Sequence, residues 1–70
     1  MLLVEKERKR LGISQGKLAR MADVNQSSMN RIERGKEPPY PNRGRRIADA
    51  LGWQGDPMKL FEEVPDNARA

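Results

Sequence analysis

The sequence contains no cysteine and no histidine. Without cysteine there is no disulfide framework and no thiolate metal site. Without histidine as well, most zinc sites and most general-base mechanisms are excluded. Asp and Glu do not cluster at metal-ligand spacing. Ser14, Ser27 and Ser28 have no base or acid partner at the spacing a catalytic triad needs. No enzymatic activity, metal or cofactor is therefore expected. Long apolar runs are missing too: the hydrophobic start, MLLV, is four residues, too short for a signal peptide or a membrane span. A soluble, cytoplasmic protein with no membrane partner is the expectation. Internal repeats and low-complexity segments are also absent.

What is present is charge, unevenly placed. The net charge of +4 combines a basic body with an acidic end. Residues 1–46 hold twelve Lys/Arg against five Asp/Glu, a net +7, and residues 47–70 hold two against five, a net −3. Such an asymmetry fits a polyanionic partner on the basic side. Seventy residues make one domain, which buries roughly 60% of its unfolded surface. The expected division is a domain over 1–64 and a disordered tail over 65–70.

Punctuation sorts the chain into five short helices and no strand. The first, Leu3 to Leu11, is rich in Glu, Lys and Arg and stops at Gly12. Ser14 is a good N-cap for the second, and Leu18, Ala19 and Ala22 then fall at helical spacing. Asp23 ends it, being a residue type that tolerates the left-handed conformation, and Val24 plugs the turn. Asn25 caps the third, in which Met29 and Ile32 share a face. After the stiff connector of Pro38, Pro39 and Pro41, the fourth spans roughly Pro41 to Leu51, starting with Pro41 as first helical residue or with Asn42 as N-cap. Gly44 weakens it by about 0.5–1 kcal/mol relative to Ala. Asp56 caps the fifth, followed by Met58, Leu60 and Phe61. The expected core is Val4, Leu11, Ile13, Leu18, Ala19, Ala22, Val24, Met29, Ile32, Ile47, Ala48, Leu51, Trp53, Leu60 and Phe61.

Two helices of about eight residues joined by a turn of three or four define a helix-turn-helix. That arrangement explains a third helix with one narrow apolar edge. Met29 and Ile32 pack inward, and a face of Gln, Ser, Asn and Arg is left to enter a major groove. Small polar residues at its start let the backbone come close, and its N-terminus attracts phosphate.

The segment SQGKLARMADVNQSSMNRIERGK resembles the helix-turn-helix of the xenobiotic-response-element family, to which the small phage repressors and Cro proteins belong. Ser14-Gln15, Leu18-Ala19, Ala22, Val24, Met29, Ile32 and the ending Glu33-Arg34-Gly35-Lys36 carry the likeness. Arg8 and Leu11 match the end of the family's first helix, and Ile47-Ala48 with Leu51-Gly52 match its fourth. The resemblance covers about residues 4–61. It implies an all-α, compact five-helix lambda-repressor-like DNA-binding domain that acts as a sequence-specific transcriptional regulator. The implied mode is a repressor bound to double-stranded DNA as a homodimer on a near-palindrome.

The same resemblance implies roles. Asn25–Arg34 would be the recognition helix. Gln26, Ser27, Asn30 and Arg31 fall where bases are read, and Arg31 and Gln26 are the best candidates because Arg pairs with guanine and Gln with adenine. Gln15, Asn25, Arg34, Lys36, Asn42 and Arg43 fall along the phosphate backbone. Arg8 and Glu33 occupy the positions of a structural ion pair. Three residues depart from the family pattern: Asp23 stands for the usual turn glycine, and Gly44 and Glu7 for aliphatic residues. The loop Gln54–Pro57 is longer than is common. The KERKR run reads as a solvated face, and Trp53 as core or the edge of a subunit interface. Because antitoxins share this fold, a toxin or other protein partner is the alternative reading.

Overall fold

The computed structural model describes residues 1–39 and 41–65. Among these are four α-helices, α1 (Leu3–Arg10), α2 (Gln15–Met21), α3 (Gln26–Glu33) and α4 (Pro41–Leu51), then a 3₁₀ turn (Pro57–Phe61). The all-helical class stands, but the expected fifth α-helix is this 3₁₀ turn. Its cap forms nonetheless: Asp56 Oδ1 accepts from the Met58 N–H at 2.9 Å, with Pro57 in the first turn. Lys59 N donates to the Asp56 carbonyl and Glu62 N to that of Lys59, both three residues back, the tighter spacing of a short terminal piece. Of the tail expected at 65–70, residues 66–70 lie outside the described residues.

Local chemistry sets the other helix ends. Ser14 Oγ accepts from Lys17 N at 3.0 Å, and Asn25 Oδ1 from Ser27 N at 2.8 Å. Each oxygen satisfies an amide that the helix cannot pair itself. At the C-terminal ends of α1, α2 and α3 the chain makes one left-handed residue, then closes two backbone bonds onto the last turn. After α2, Asp23 N donates to the Arg20 carbonyl and Val24 N to that of Ala19. The left-handed residue there is Asp23 itself, at φ 56°, among the described residues the one non-glycine with positive φ. Asp tolerates this region better than most, at some cost. Pro41 is the first residue of α4.

The left-handed turns decide which apolar residue returns to the core. The residue after the turn folds back over the helix: Ile13 after α1 and Val24 after α2 both pack on the core. Leu11, expected in the core, is instead 42% exposed. It is the C-cap of α1, where the chain turns away at Gly12, and Ile13 takes the inner position. Ile13, Trp53 and Phe61, also expected inside, are half-buried against the core rather than within it.

Val4, Leu18, Met29, Ile32, Ile47 and Leu60 are fully buried. α2 packs on both α3 and α4, and the 3₁₀ turn packs on α1 and α4. An isolated antiparallel bridge, Leu2 with Glu63, ties the segment after the 3₁₀ turn to the start of α1. Gly44 is buried, and a Cβ there would lie 3.4 Å from the Phe61 ring and 3.7 Å from Met58 Sδ. The departure from an aliphatic residue thus admits the Phe61 ring against α4. No helix of the described residues is long and apolar enough to cross a membrane.

Candidate nucleic-acid interface

Helix α3 is fixed from below by its own apolar edge. Met29 and Ile32 are 0% and 1% exposed, so α3 cannot roll without breaking the core. Its opposite face carries Gln26, Ser27 and Arg31, all exposed, with Ser28 and Asn30 half-buried beside them. A shallow, open groove of about 380 Å³ lies along this face, lined by Gln15, Gln26, Ser27, Asn30 and Arg31. The start of α2 therefore supplies one wall and α3 the floor. Gly16 lies close to this meeting: a Cβ there would stand in ordinary contact with Gln26 Oε1, at 3.4 Å.

Beneath the groove runs a hydrogen-bonded chain. Arg8 donates to Glu33 twice, Nε to Oε2 at 2.8 Å and Nη2 to Oε1 at 3.1 Å. Arg8 Nη1 also donates to the Ile13 carbonyl at 3.0 Å. Glu33 is buried, yet its carboxylate has a two-pronged cationic partner, the arrangement that lets a charge sit in the interior. Gln15 Nε2 donates to Glu33 Oε1 at 3.1 Å, and Asn30 Nδ2 donates to Gln15 Oε1 at 3.3 Å. Glu33 can only accept, so it forces the Gln15 amide nitrogen inward and its oxygen toward Asn30. The buried ion pair thus orients a groove-lining amide.

The end of α3 carries the second cluster. Arg34 and Lys36 are exposed there, and Asn42 is exposed at the start of α4. Between them Glu37 accepts from two arginines, Arg31 Nε on Oε1 at 2.6 Å and Arg43 Nη1 on Oε2 at 2.7 Å. The hydrogen bond from Arg31 first, and that from Arg43 second, hold its carboxyl below the ordinary value of 4.5. Arg43 Nη2 also donates to the Pro38 carbonyl at 3.3 Å. Asn25 spends its side-chain oxygen on the α3 cap.

Sequence reasoning misses Glu37, and it groups Arg46 with Arg43 and Arg45 as fourth-helix arginines of which one or two touch phosphate. Glu37 had a signal, as a single acid within RGKEPPYPNRGRR. The contact Arg46 makes instead had none. Arg46 donates from Nε to the Ala22 carbonyl at 2.9 Å and from Nη2 to the Asp23 carbonyl at 3.3 Å, so it clamps the turn between α2 and α3. Among the described residues no group of three or more Asp or Glu is placed to hold a metal ion.

The sequence that builds this geometry, a short helix pinned by its core edge with the turn before it clamped to α4, is matched by a family profile. A helix-turn-helix domain matches residues 3–61. The chain belongs to the helix-turn-helix domain family, within its Cro-like and xenobiotic-response-element group. No curated protein and no solved structure matches the chain. A helix-turn-helix domain points to a DNA-binding regulator, and the family is typically non-enzymatic.

Proposed function

We propose that this helix-turn-helix protein is a sequence-specific transcriptional repressor that reads a near-palindromic operator as a dimer through α3. The observation that supports it is the groove, whose five lining side chains are Gln15, Gln26, Ser27, Asn30 and Arg31. Every one is an amide, hydroxyl or guanidinium, the groups that pair with base edges and phosphates. Gln26, Ser27 and Arg31 are exposed on the outer face of α3 and are assigned to bases, with Asn30 at the rim. Gln15 keeps a second amide N–H beyond the one given to Glu33, and that donor is assigned to a phosphate oxygen. Asn25, Arg34, Lys36, Asn42 and Arg43 are assigned to the backbone on either side, where the helix start and the basic loop would follow a strand.

Two recognition helices about 34 Å apart would then enter successive major grooves. Repression follows by occlusion of polymerase. The test is selection of the protein on a random duplex pool. A two-fold symmetric motif of roughly 12–20 base pairs is expected. With about six phosphate contacts, log K should fall with log salt at a slope near −5. Salt-sensitive binding with no enriched motif, or a slope near zero, overturns the reading.

A further inference from the structure

Glu37 lies in the connector between α3 and α4, six residues after Arg31 and six before Arg43. Its two carboxylate oxygens are divided between those arginines at 2.6 and 2.7 Å. It is less exposed than the Arg31 it holds, with side-chain exposures of 21% and 51%. Arg31 Nη2 makes one further, longer bond, to Ser28 Oγ at 3.4 Å. Nε–H and the near hydrogen of Nη2 lie along the same edge of the guanidinium plane. The Glu37 contact therefore engages that side edge, and the longer Ser28 contact is made by the nitrogen the two edges share. Nη1, at the terminal edge, makes no hydrogen bond among the described residues, and it belongs to a residue that lines the groove.

A long arginine side chain that must find its base from free rotation loses rotamer entropy on binding. An arginine held at its side edge has lost much of it beforehand. The terminal edge is also one of the two edges that can pair with guanine O6 and N7. Resting on the proposed role of α3 in reading DNA, we infer that Glu37 is a positioning residue, a carboxylate buttress that sets Arg31 for end-on reading of a guanine. A competing role, in which Glu37 mimics phosphate and masks the arginines, fits the geometry less well. A mask would have to occupy the terminal edge, and one carboxylate against two guanidiniums leaves the cluster net positive. Hydrogen bonding to both arginines keeps Glu37 ionised at neutral pH, so the buttress is charged whenever the protein meets DNA. Pro38 and Pro39 follow directly and stiffen the connector that carries it.

The experiment compares the wild type, Glu37→Gln, Glu37→Ala, Arg31→Ala and the Arg31→Ala/Glu37→Gln double variant on the selected operator. Each is measured against every single-base substitution of one half-site and against unrelated duplex. Arg31→Ala should relax one position. Glu37→Gln and Glu37→Ala should weaken discrimination at that same position about tenfold, with other positions unchanged. In the double variant Glu37→Gln should add nothing further there. Binding to unrelated duplex should hold or tighten, because a negative charge has been removed. A motif that Arg31→Ala relaxes but both Glu37 variants leave intact overturns the buttress alone. So does tighter, equally selective operator binding by Glu37→Gln, the signature of a mask. A position that Arg31→Ala fails to relax also overturns it. A wild type that selects no motif overturns both this inference and the DNA-reading proposal beneath it.

Discussion

Replacing Glu33 by alanine tests the buried base of the site. Its side chain is 2% exposed and that of Arg8 is 11% exposed. The carboxylate accepts three hydrogen bonds, two from Arg8 and one from Gln15. Alanine leaves the Arg8 guanidinium with its bond to the Ile13 carbonyl and leaves the Gln15 amide without its inner acceptor. Removing one partner of a buried pair costs about 3–5 kcal/mol. Arg8 sits at the rim, where water can reach part of the exposed charge, so the lower end, about 3 kcal/mol, is expected. A chain of this length has a total stability of about 3.5–10 kcal/mol at roughly 0.05–0.15 kcal/mol per residue. The loss is thus about 30% or more of the whole. At about 4–8 °C per kcal/mol for a domain this small, thermal melting followed by circular dichroism should shift down by about 12–24 °C. Glu5→Ala is the control, because its pair with Lys9 at 3.0 Å lies at the surface, with Lys9 exposed and Glu5 half-buried, and should shift stability by no more than about 0.5 kcal/mol. A Glu33→Ala melt within about 3 °C of wild type, or no further down than Glu5→Ala, would refute the reasoning. Replacing both partners, Arg8→Met with Glu33→Leu, should recover part of the loss, since no charge is then stranded.

Three further outcomes follow from other contacts. Gly44→Ala should raise stability by up to about 1 kcal/mol, since the helix gains and the new Cβ meets the Phe61 ring at an ordinary contact distance. Gly44→Val should lower it by about 1–3 kcal/mol through overpacking, and urea titration separates the two signs. Arg46→Ala removes two donors from the last carbonyls of α2 and its turn. It should lower stability by about 1–2 kcal/mol, with faster amide exchange at Asp23 and Val24 than at Leu18; uniform exchange would count against a clamp. Glu37 supplies a pH dependence. Its folded pKa is depressed, so its stabilising contacts are complete above the ordinary carboxylate range and lost as pH falls through the depressed value. The Glu37 carboxyl carbon, followed by NMR, should titrate below 4.5 and move upward in Arg31→Ala. A midpoint at or above 4.5 would refute the shared pair.

The sequence by itself determined what depends on near neighbours. Ser14, Asn25 and Asp56 cap through an amide two or three residues on, and Asp23 turns the chain with bonds closed inside five residues. Such contacts form whatever surrounds them, so residue type and spacing were enough. The apolar period of Met29 and Ile32 likewise fixed which edge of α3 turns inward. The tertiary structure decided what depends on how the elements cross. Leu11 has the right period for the core, but the turn at Gly12 delivers Ile13 there instead. The last segment has a helix-like cap and apolar spacing, but it forms a single 3₁₀ turn over α4, with its Phe61 ring against Gly44. Arg46 meets the α2 turn across 24 residues, and Gln15 meets Glu33 across 18. Long-range contacts of this kind require the chain to lose its entropy first and regain free energy only when several elements are already packed. No local pattern encodes their partners: the groove's composition could be read from the residues and the Arg8–Glu33 pair from the family resemblance, but the contacts of Gln15 with Glu33 and of Arg46 with the turn could not.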